Sequence, residues 1–480
     1  MRYLDQIKLK EKIAYGLGDA ASSMFWKIFG MYALFFYTDV FGITAAAAGT
    51  MFLIARIWDS FFDLLVGIIT DRTHTKWGRY RPYLLWFALP FSVMGVITFF
   101  VPDFGNSAKL IYAYITYSLM MIVYSFINVP YASLLGVMSA DSQQRNILSS
   151  YRMSFAFLGS FITFMLLQPL VDGFTGILQA KGHPDLLPHP ADAGISTLPQ
   201  AWTLAVAIIG ILCTVLFLFC FRWTRERLGS LSNANQSSSV KKDLKALFRN
   251  TPWWILIATG IAALLFNAIR DGVAIYYFKD YVKHHYKMTL TGWDITTIYF
   301  LIGQAANLAG VILAPVLSLK FGKKKTYIGA NFLAAVLSVI YFFIPNQIGW
   351  IFLFQVLISI CAGCVFPLLW SMFADIVDYQ ELKTSRRISG LIFSSSSMSQ
   401  KLGWAIGAAL SGWLLFVFHY NKAFSEQTQQ TILGERLMIS LLPACCALAA
   451  TVIMFFYPLT EKKMEVIAVD LRERRNKENT

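Results

Sequence analysis

Apolar stretches of about 20 residues, the length a helix needs to cross hydrocarbon, recur along the whole chain between short polar connections. "KIFGMYALFFYTDVFGI" (27–43) is one and "LLPACCALAATVIMFFY" (441–457) is another; twelve are read in all. Inside a bilayer no water meets an exposed N–H or C=O, so a spanning segment satisfies its own backbone as a helix. The pattern predicts an all-α polytopic membrane protein with twelve transmembrane helices. The opening "MRYLDQIKLKEK" is polar and basic, and no cleavable leader is expected from it.

Composition agrees with that reading. Of the 480 residues 56% are hydrophobic and only 14% charged, against about 25% charged in soluble domains. The net charge of +14 could suggest nucleic acid, but most of the 41 lysines and arginines fall in alternate connections and in the tail "LRERRNK". That bias places both termini in the cytoplasm, in a multi-pass protein of the cytoplasmic (inner) membrane. It makes anionic membrane lipids the partner of the basic tail, with no nucleic acid involved. Residues 222–250 form the longest inside segment, with a Ser/Asn-rich middle that reads as a linker. They separate a six-helix half (1–221) from a second (251–460), and 461–480 form a cytoplasmic tail.

Enzyme and channel chemistries find little support. All six cysteines lie in predicted spans, and "CAGC" (361–364) sits mid-helix as small packing residues rather than a redox motif. The six histidines are scattered and form no ligand set. No mid-membrane nucleophile–base pair is present, so the chain is read as no enzyme. A continuous polar file or charged ring, which a channel would need, is also missing.

The two halves repeat. "GIITDRTHTKWGRYRP" follows the second stretch and "LKFGKKKTYI" the eighth. "NVPYASLLGVMSADSQQR" in the fourth corresponds to "FPLLWSMFADIVDYQELKTSRR" in the tenth, each starting at a proline (Pro130, Pro367) expected to break its helix. Parallel six-helix repeats are the architecture of the major facilitator superfamily, with substrate bound near the bilayer midplane. The basic turn with Asp71, Arg72, Lys76, Arg79 and Arg81 resembles the superfamily's inside gate, and Asp375 and Arg386, at the inside end of the tenth stretch, are added to the gate candidates. The plainer reading makes these charges topology determinants.

Charges inside the apolar stretches are functional candidates by default, because each is costly there. In "RIWDSFFDLL" the residues Arg56, Asp59 and Asp63, continued by Gly67, share one helical stripe. Two carboxylates one turn apart in a low dielectric do not both stay ionised without a cation. A static Arg56–aspartate pair is the plainer alternative, and it leaves the second carboxylate unexplained. Lys27, Arg152 and Lys401 are further candidates, whereas Arg270 and Asp271 read as a pair near the membrane surface. Gly403 and Gly407 after Lys401 would permit tight helix packing.

Seven segments in order, "YGLGD" (15–19), "FYTDVFG" (36–42), "ARIWDSFFD" (55–63), "TDRTHTKWGRYRPYLL" (70–85), "NVPYASL" (128–134), "ADIVDYQELKTSRR" (374–387) and that around Lys401, resemble the glycoside–pentoside–hexuronide:cation symporter family. That family includes the melibiose permease, and the resemblance covers essentially the whole chain. It implies import of a sugar by symport with H⁺ or Na⁺ through alternating access, by a monomer with no cofactor beyond the coupling ion. Asp59 and Asp63 then match the cation-site carboxylates, which would be the metal ligands if the ion is Na⁺, and Ser125 adds an oxygen. Arg152 matches a sugar-cavity arginine and Lys401 a lysine linking the halves. The permease's two sugar-binding carboxylates fall on Ser23 and Asn128, and its cation-selectivity asparagine on Phe62. Losing that amide oxygen favours H⁺ over Na⁺. Losing the carboxylates, with Lys27 one turn beyond Ser23, favours an acidic sugar; if Lys27 instead pairs with Asp19 or points away from the cavity, Ser23 and Asn128 serve a neutral glycoside almost equally well. An exporter or exchanger of another small solute on the same fold is the alternative function.

Overall fold

A computed structural model describes residues 7–139, 142–180, 196–227, 247–282, 294–384, 389–422, 424 and 426–478, apart from the side chains of some helical residues. Among the described residues the chain is helical throughout, save for short connections and an isolated bridge between Thr75 and Gly78. The helices of the first half are α1 (Leu9–Lys27), α2 (Ala45–Arg72), α3 (Arg81–Thr98), α4 (Asn106–Met138), α5 (Ser142–Ala180) and α6 (Pro199–Trp223). Those of the second are α7 (Thr251–Tyr276), α8 (Ile295–Phe321), α9 (Lys323–Phe343), α10 (Ile348–Thr384), α11 (Ser389–Val417) and the consecutive α12 (Gln429–Ile439) and α13 (Leu441–Phe455); α14 (Glu461–Glu478) follows. Nine helices among the described residues are long and apolar enough to cross a membrane. Of the remaining predicted spans, α2 carries the Arg56–Asp59–Asp63 stripe and α11 carries Lys401.

Local chemistry explains where these helices begin and bend. Thr44 accepts from the Ala47 amide at the start of α2, and Asn250 accepts from Trp253 at the start of α7, each meeting a donor the first turn leaves unpaired. α1 and α7, the first helix of each half, both continue into π-turns, Ile28–Tyr32 and Phe36–Phe41 after α1 and Tyr277–Val282 after α7. Such turns are uncommon and gather at functional sites. Pro130 and Pro367 were expected to break α4 and α10, but both helices run through their prolines. A proline removes one amide donor and crowds one carbonyl, which a long packed helix can absorb by bending.

The chain resolves into two compact units. The first comprises Met1–Ala234, Phe278–Leu301 and Gly412–Thr428, and the second Asn235–Tyr277, Ile302–Ser411 and Gln429–Thr480. In the first unit α1 packs on α5 and α6, and α3 on α4 and α6. In the second unit α7 packs on α13, and α9 on α10 and α13, which repeats the same neighbours six helices later. The α1–α5 crossing is very close: a Cβ on Gly159 would stand 2.3 Å from the Ala20 carbonyl oxygen, and one on Gly16 would stand 2.6 Å from the Phe155 ring. Glycine at both positions lets the two backbones meet and fixes which side chains face each other along them.

Candidate functional site

The Asp59 carboxylate is the centre of the cation candidate. It is 1% exposed, and Arg56, one turn earlier on α2, is 6% exposed. Ser125 on α4 donates to Asp59 Oδ1 at 2.7 Å, and Arg56 Nη1 lies 3.3 Å from Oδ2. Both carboxylate oxygens therefore meet donors, as a buried charge requires. The Arg56 guanidinium also lies 4.3 Å from the centroid of the Trp26 ring, a cation–π contact that holds it in place. Asp63 follows one turn on, half-buried. The structure thus brings Asp59 and Ser125 together, as the sequence suggested. It also contains the plainer Arg56–Asp59 pair, with Asp63 next along the stripe.

The sugar candidates lie on α1, α4 and α5. Arg152 Nε is 3.3 Å from Asp19 Oδ2, and its guanidinium stands 5.3 Å from the Tyr131 ring. Tyr131 stacks on Tyr15 at 4.8 Å and donates to the Tyr15 carbonyl at 2.6 Å. Ser23 and Asn128 are half-buried on α1 and α4. The Lys27 ammonium is 5.9 Å from the Phe164 ring. The alternative pairing of Lys27 with Asp19 gives way to Asp19–Arg152, because eight helical residues separate Lys27 from Asp19 by about 12 Å along the axis. In the second unit Lys401 is half-buried on α11. Below it a Cβ on Gly403 would come within 2.7 Å of Leu264, and one on Gly407 within 2.3 Å of Ala268, so α7 and α11 pack as closely as those glycines suggested. Arg270 is 4% exposed and donates to Gln355 at 2.7 Å, a contact the sequence did not suggest.

The structure describes the gate candidates in part. The Asp71 side chain and the whole of Arg386 lie outside the described residues. Arg72 is exposed and Arg79 half-buried. Arg81 reaches the Phe221 carbonyl at 2.6 Å, and Asp375 pairs with Lys323 at 2.8 Å. The residue the sequence reading passed over is Glu226. Its carboxylate accepts from the amides of Arg79, Tyr80 and Arg81 at 2.9, 2.8 and 2.8 Å, where α3 leaves its first donors unpaired. Gly78, at φ +113°, makes room for it. The second half repeats the arrangement more loosely: Gly322 has φ +87° beside Glu461, which the Lys324 amide approaches at 3.4 Å. A threonine followed closely by a glutamate after the sixth stretch of each half was the available signal.

A second unanticipated cluster joins the π-turns. Asp39 Oδ1 accepts from Lys279 Nζ at 2.5 Å and from the Tyr420 hydroxyl at 2.6 Å, and Thr38 donates to Oδ2 at 2.7 Å. Asp294, just before α8, caps the Thr297 amide at 2.8 Å, and Gln168 accepts from the Thr297 hydroxyl. Burial pushes the Asp294 carboxyl above the ordinary carboxylate range; Thr297 opposes the shift and nearby Asp172 adds to it. All these residues belong to the first unit.

Comparison with known proteins shows the family. Residues 14–461 match the family described as MFS/sugar transport protein. An Escherichia coli (strain K12) protein that carries the provisional name glycoside/cation symporter YagG is 33% identical over 98% of this chain and 96% of its own. The glucuronide carrier protein homolog of the same organism is 30% identical over 98% of this chain and 97% of its own. Among solved structures, a bacterial homolog of the human lysosomal transporter Spinster superposes with a TM-score of 0.67, over 94% of this chain and 95% of that one. At 14% identity that likeness speaks for the fold alone.

Proposed function

This chain belongs to the MFS/sugar transport protein family and is a sugar:cation symporter, and we propose that its coupling ion is the proton, carried on the Asp59–Asp63 stripe. The observation that carries this reading is the Asp59 environment. A hydroxyl and a guanidinium already occupy the two carboxylate oxygens. Na⁺ needs several oxygen ligands at once, whereas a proton needs one carboxylate oxygen on the stripe. The Phe62 side chain, beside the stripe, offers no oxygen.

In this reading Ser23, Lys27, Asn128 and Arg152 serve the sugar, and Lys401 keeps the role its resemblance assigns. Protonation removes the repulsion between two carboxylates one turn apart, sugar then binds, and only the empty or the fully loaded carrier reorients. The protein lies in the inner membrane with both termini cytoplasmic, and the membrane potential contributes about 2.3 kcal/mol per translocated charge per 100 mV. Gating falls to the end of α2 and the turn leading into α3, where Arg72, Arg79 and Arg81 lie, and to Asp375 on α10, which pairs with Lys323 at the start of α9.

Reconstitution into proteoliposomes tests the assignment. Uptake of a labelled glycoside is expected to rise with an inward proton gradient at fixed Na⁺ and to collapse with a protonophore. Accumulation that follows an Na⁺ gradient and survives the protonophore overturns the choice of ion.

A further inference from the structure

Arg152 has a place in the sugar-binding reading, but the carboxylate beside it has none. Asp19 stands opposite Arg152 because α1 and α5 cross at Gly16 and Gly159, where either helix would need a glycine to come so close. Gly18 tightens the same spot: a Cβ there would lie 2.5 Å from the Tyr131 ring, which stacks on Tyr15 and flanks the Arg152 guanidinium. The Asp19 and Arg152 side chains are 11% and 28% exposed. An acceptor and a planar donor group are thus held side by side, walled by two tyrosines, with part of the guanidinium accessible.

Two neighbouring sugar hydroxyls each donate and accept. A carboxylate beside a guanidinium offers such a diol an acceptor and a donor fork at once. A carboxylated sugar asks for something different, an arginine whose charge is not already balanced. Here Asp19 balances it, and a second carboxylate at the same place would meet like charge. Lys27, two turns further along α1 beside Phe164, is a separate position.

We propose that Asp19 is a specificity-determining residue of the sugar site, which turns Arg152 into a reader of neutral sugar diols and disfavours carboxylated sugars there. This rests on the reading that Arg152 meets the sugar, and it replaces the acidic sugar that the sequence favoured before Asp19 was seen beside it.

The test is counterflow exchange in proteoliposomes with matched labelled pairs: the methyl β-glycosides of glucose and galactose against the corresponding methyl glycosiduronates. Wild type is expected to exchange a neutral member at least about tenfold faster than its uronide, the discrimination a polar site commonly achieves. Asp19→Asn, which keeps the shape and removes the charge, is expected to narrow that ratio by about tenfold or reverse it. Asp19→Glu is expected to keep the neutral preference with weaker binding. Wild type preferring the uronide overturns the proposal, and so does an unchanged ratio in Asp19→Asn. Should Asp19→Asn fail to fold, the wild-type ratio together with that of Asp19→Glu still decides. Arg152→Gln separates the two layers: full exchange of every sugar in that variant overturns the placement of Arg152 at the sugar, as does the absence of any exchange in wild type.

Discussion

Ser125 on α4 gives its hydroxyl to Asp59 on α2 at 2.7 Å, bridging 66 residues of sequence at a fully buried carboxylate. That one bond distinguishes the two coupling ions. A hydrogen bond to a charged group contributes about 1.5–3 kcal/mol, and it favours the ionised carboxylate. Ser125→Ala removes that donor, and if the proton is the ion the dependence of uptake on external pH is expected to change while its independence of Na⁺ is kept. If Na⁺ is the ion, the same change removes an oxygen ligand and raises the Na⁺ concentration needed for half-maximal uptake. Ser125→Thr keeps the hydroxyl and is expected to behave like wild type. Uptake measured from pH 5 to 9 in the three proteins decides the matter.

Glu226 and Glu461 offer a comparison inside one molecule. Glu226 accepts from three amides at 2.8–2.9 Å, whereas Glu461 meets one at 3.4 Å. A glutamine supplies one oxygen and no charge to the start of a helix. Glu226→Gln is expected to cost about 1–2 kcal/mol of stability, and Glu461→Gln clearly less. Thermal unfolding in detergent compares them; equal losses would show that the contacts at Glu226 are not what that carboxylate contributes.

The Asp39–Lys279–Tyr420 contact is an ion pair with a nearly inaccessible carboxylate, 2% exposed, and a lysine 30% exposed. The accessible ammonium is screened, which brings the coupling down to about 1 kcal/mol. Asp39→Asn and Lys279→Gln are each expected to lower the melting temperature, and the double variant to lose about 1 kcal/mol less than the two added together. Strict additivity would show the contact to be energetically idle.

Much of the fold and one half of the site could be read from the sequence, for identifiable reasons. Charges within an apolar stretch stand out, and a helical repeat puts Arg56, Asp59 and Asp63 on one stripe without further information. The Asp19–Arg152 pair could not be read that way. Helix spacing alone separates Asp19 from Lys27, but that Asp19 faces Arg152 depends on how α1 crosses α5, and that crossing is set by two glycines far apart in sequence. Glu226 was hidden for another reason. It sits at the edge of a polar segment that reads as linker, and only the turn before α3 shows what it holds. The uninterrupted α4 and α10 show the converse, since a proline marks a weakened turn while packing decides whether the helix ends there.

Asp294 predicts a dependence on pH. Burial raises its carboxyl above the value of about 4 that the unfolded chain shows. The neutral form therefore suits the folded protein. The corresponding stability is fully present below about pH 4 and is lost as pH rises through the elevated folded value. Asp294→Asn keeps an oxygen to cap Thr297 and removes the ionisation. Relative to wild type the variant is expected to gain stability progressively as pH rises from 4 towards 8. A difference that stays constant across that range would remove Asp294 from the account.

The claim on which the rest depends is that the Asp59–Asp63 stripe carries the coupling ion, while sugar is held elsewhere in the molecule. Its most direct test compares two transport modes in the same proteoliposomes for Asp59→Asn and Asp63→Asn: uphill accumulation driven by an ion gradient, and counterflow exchange, which needs none. Both variants are expected to lose accumulation altogether while retaining measurable exchange. Wild-type accumulation in either variant, or equal loss of both modes in both, would contradict the account.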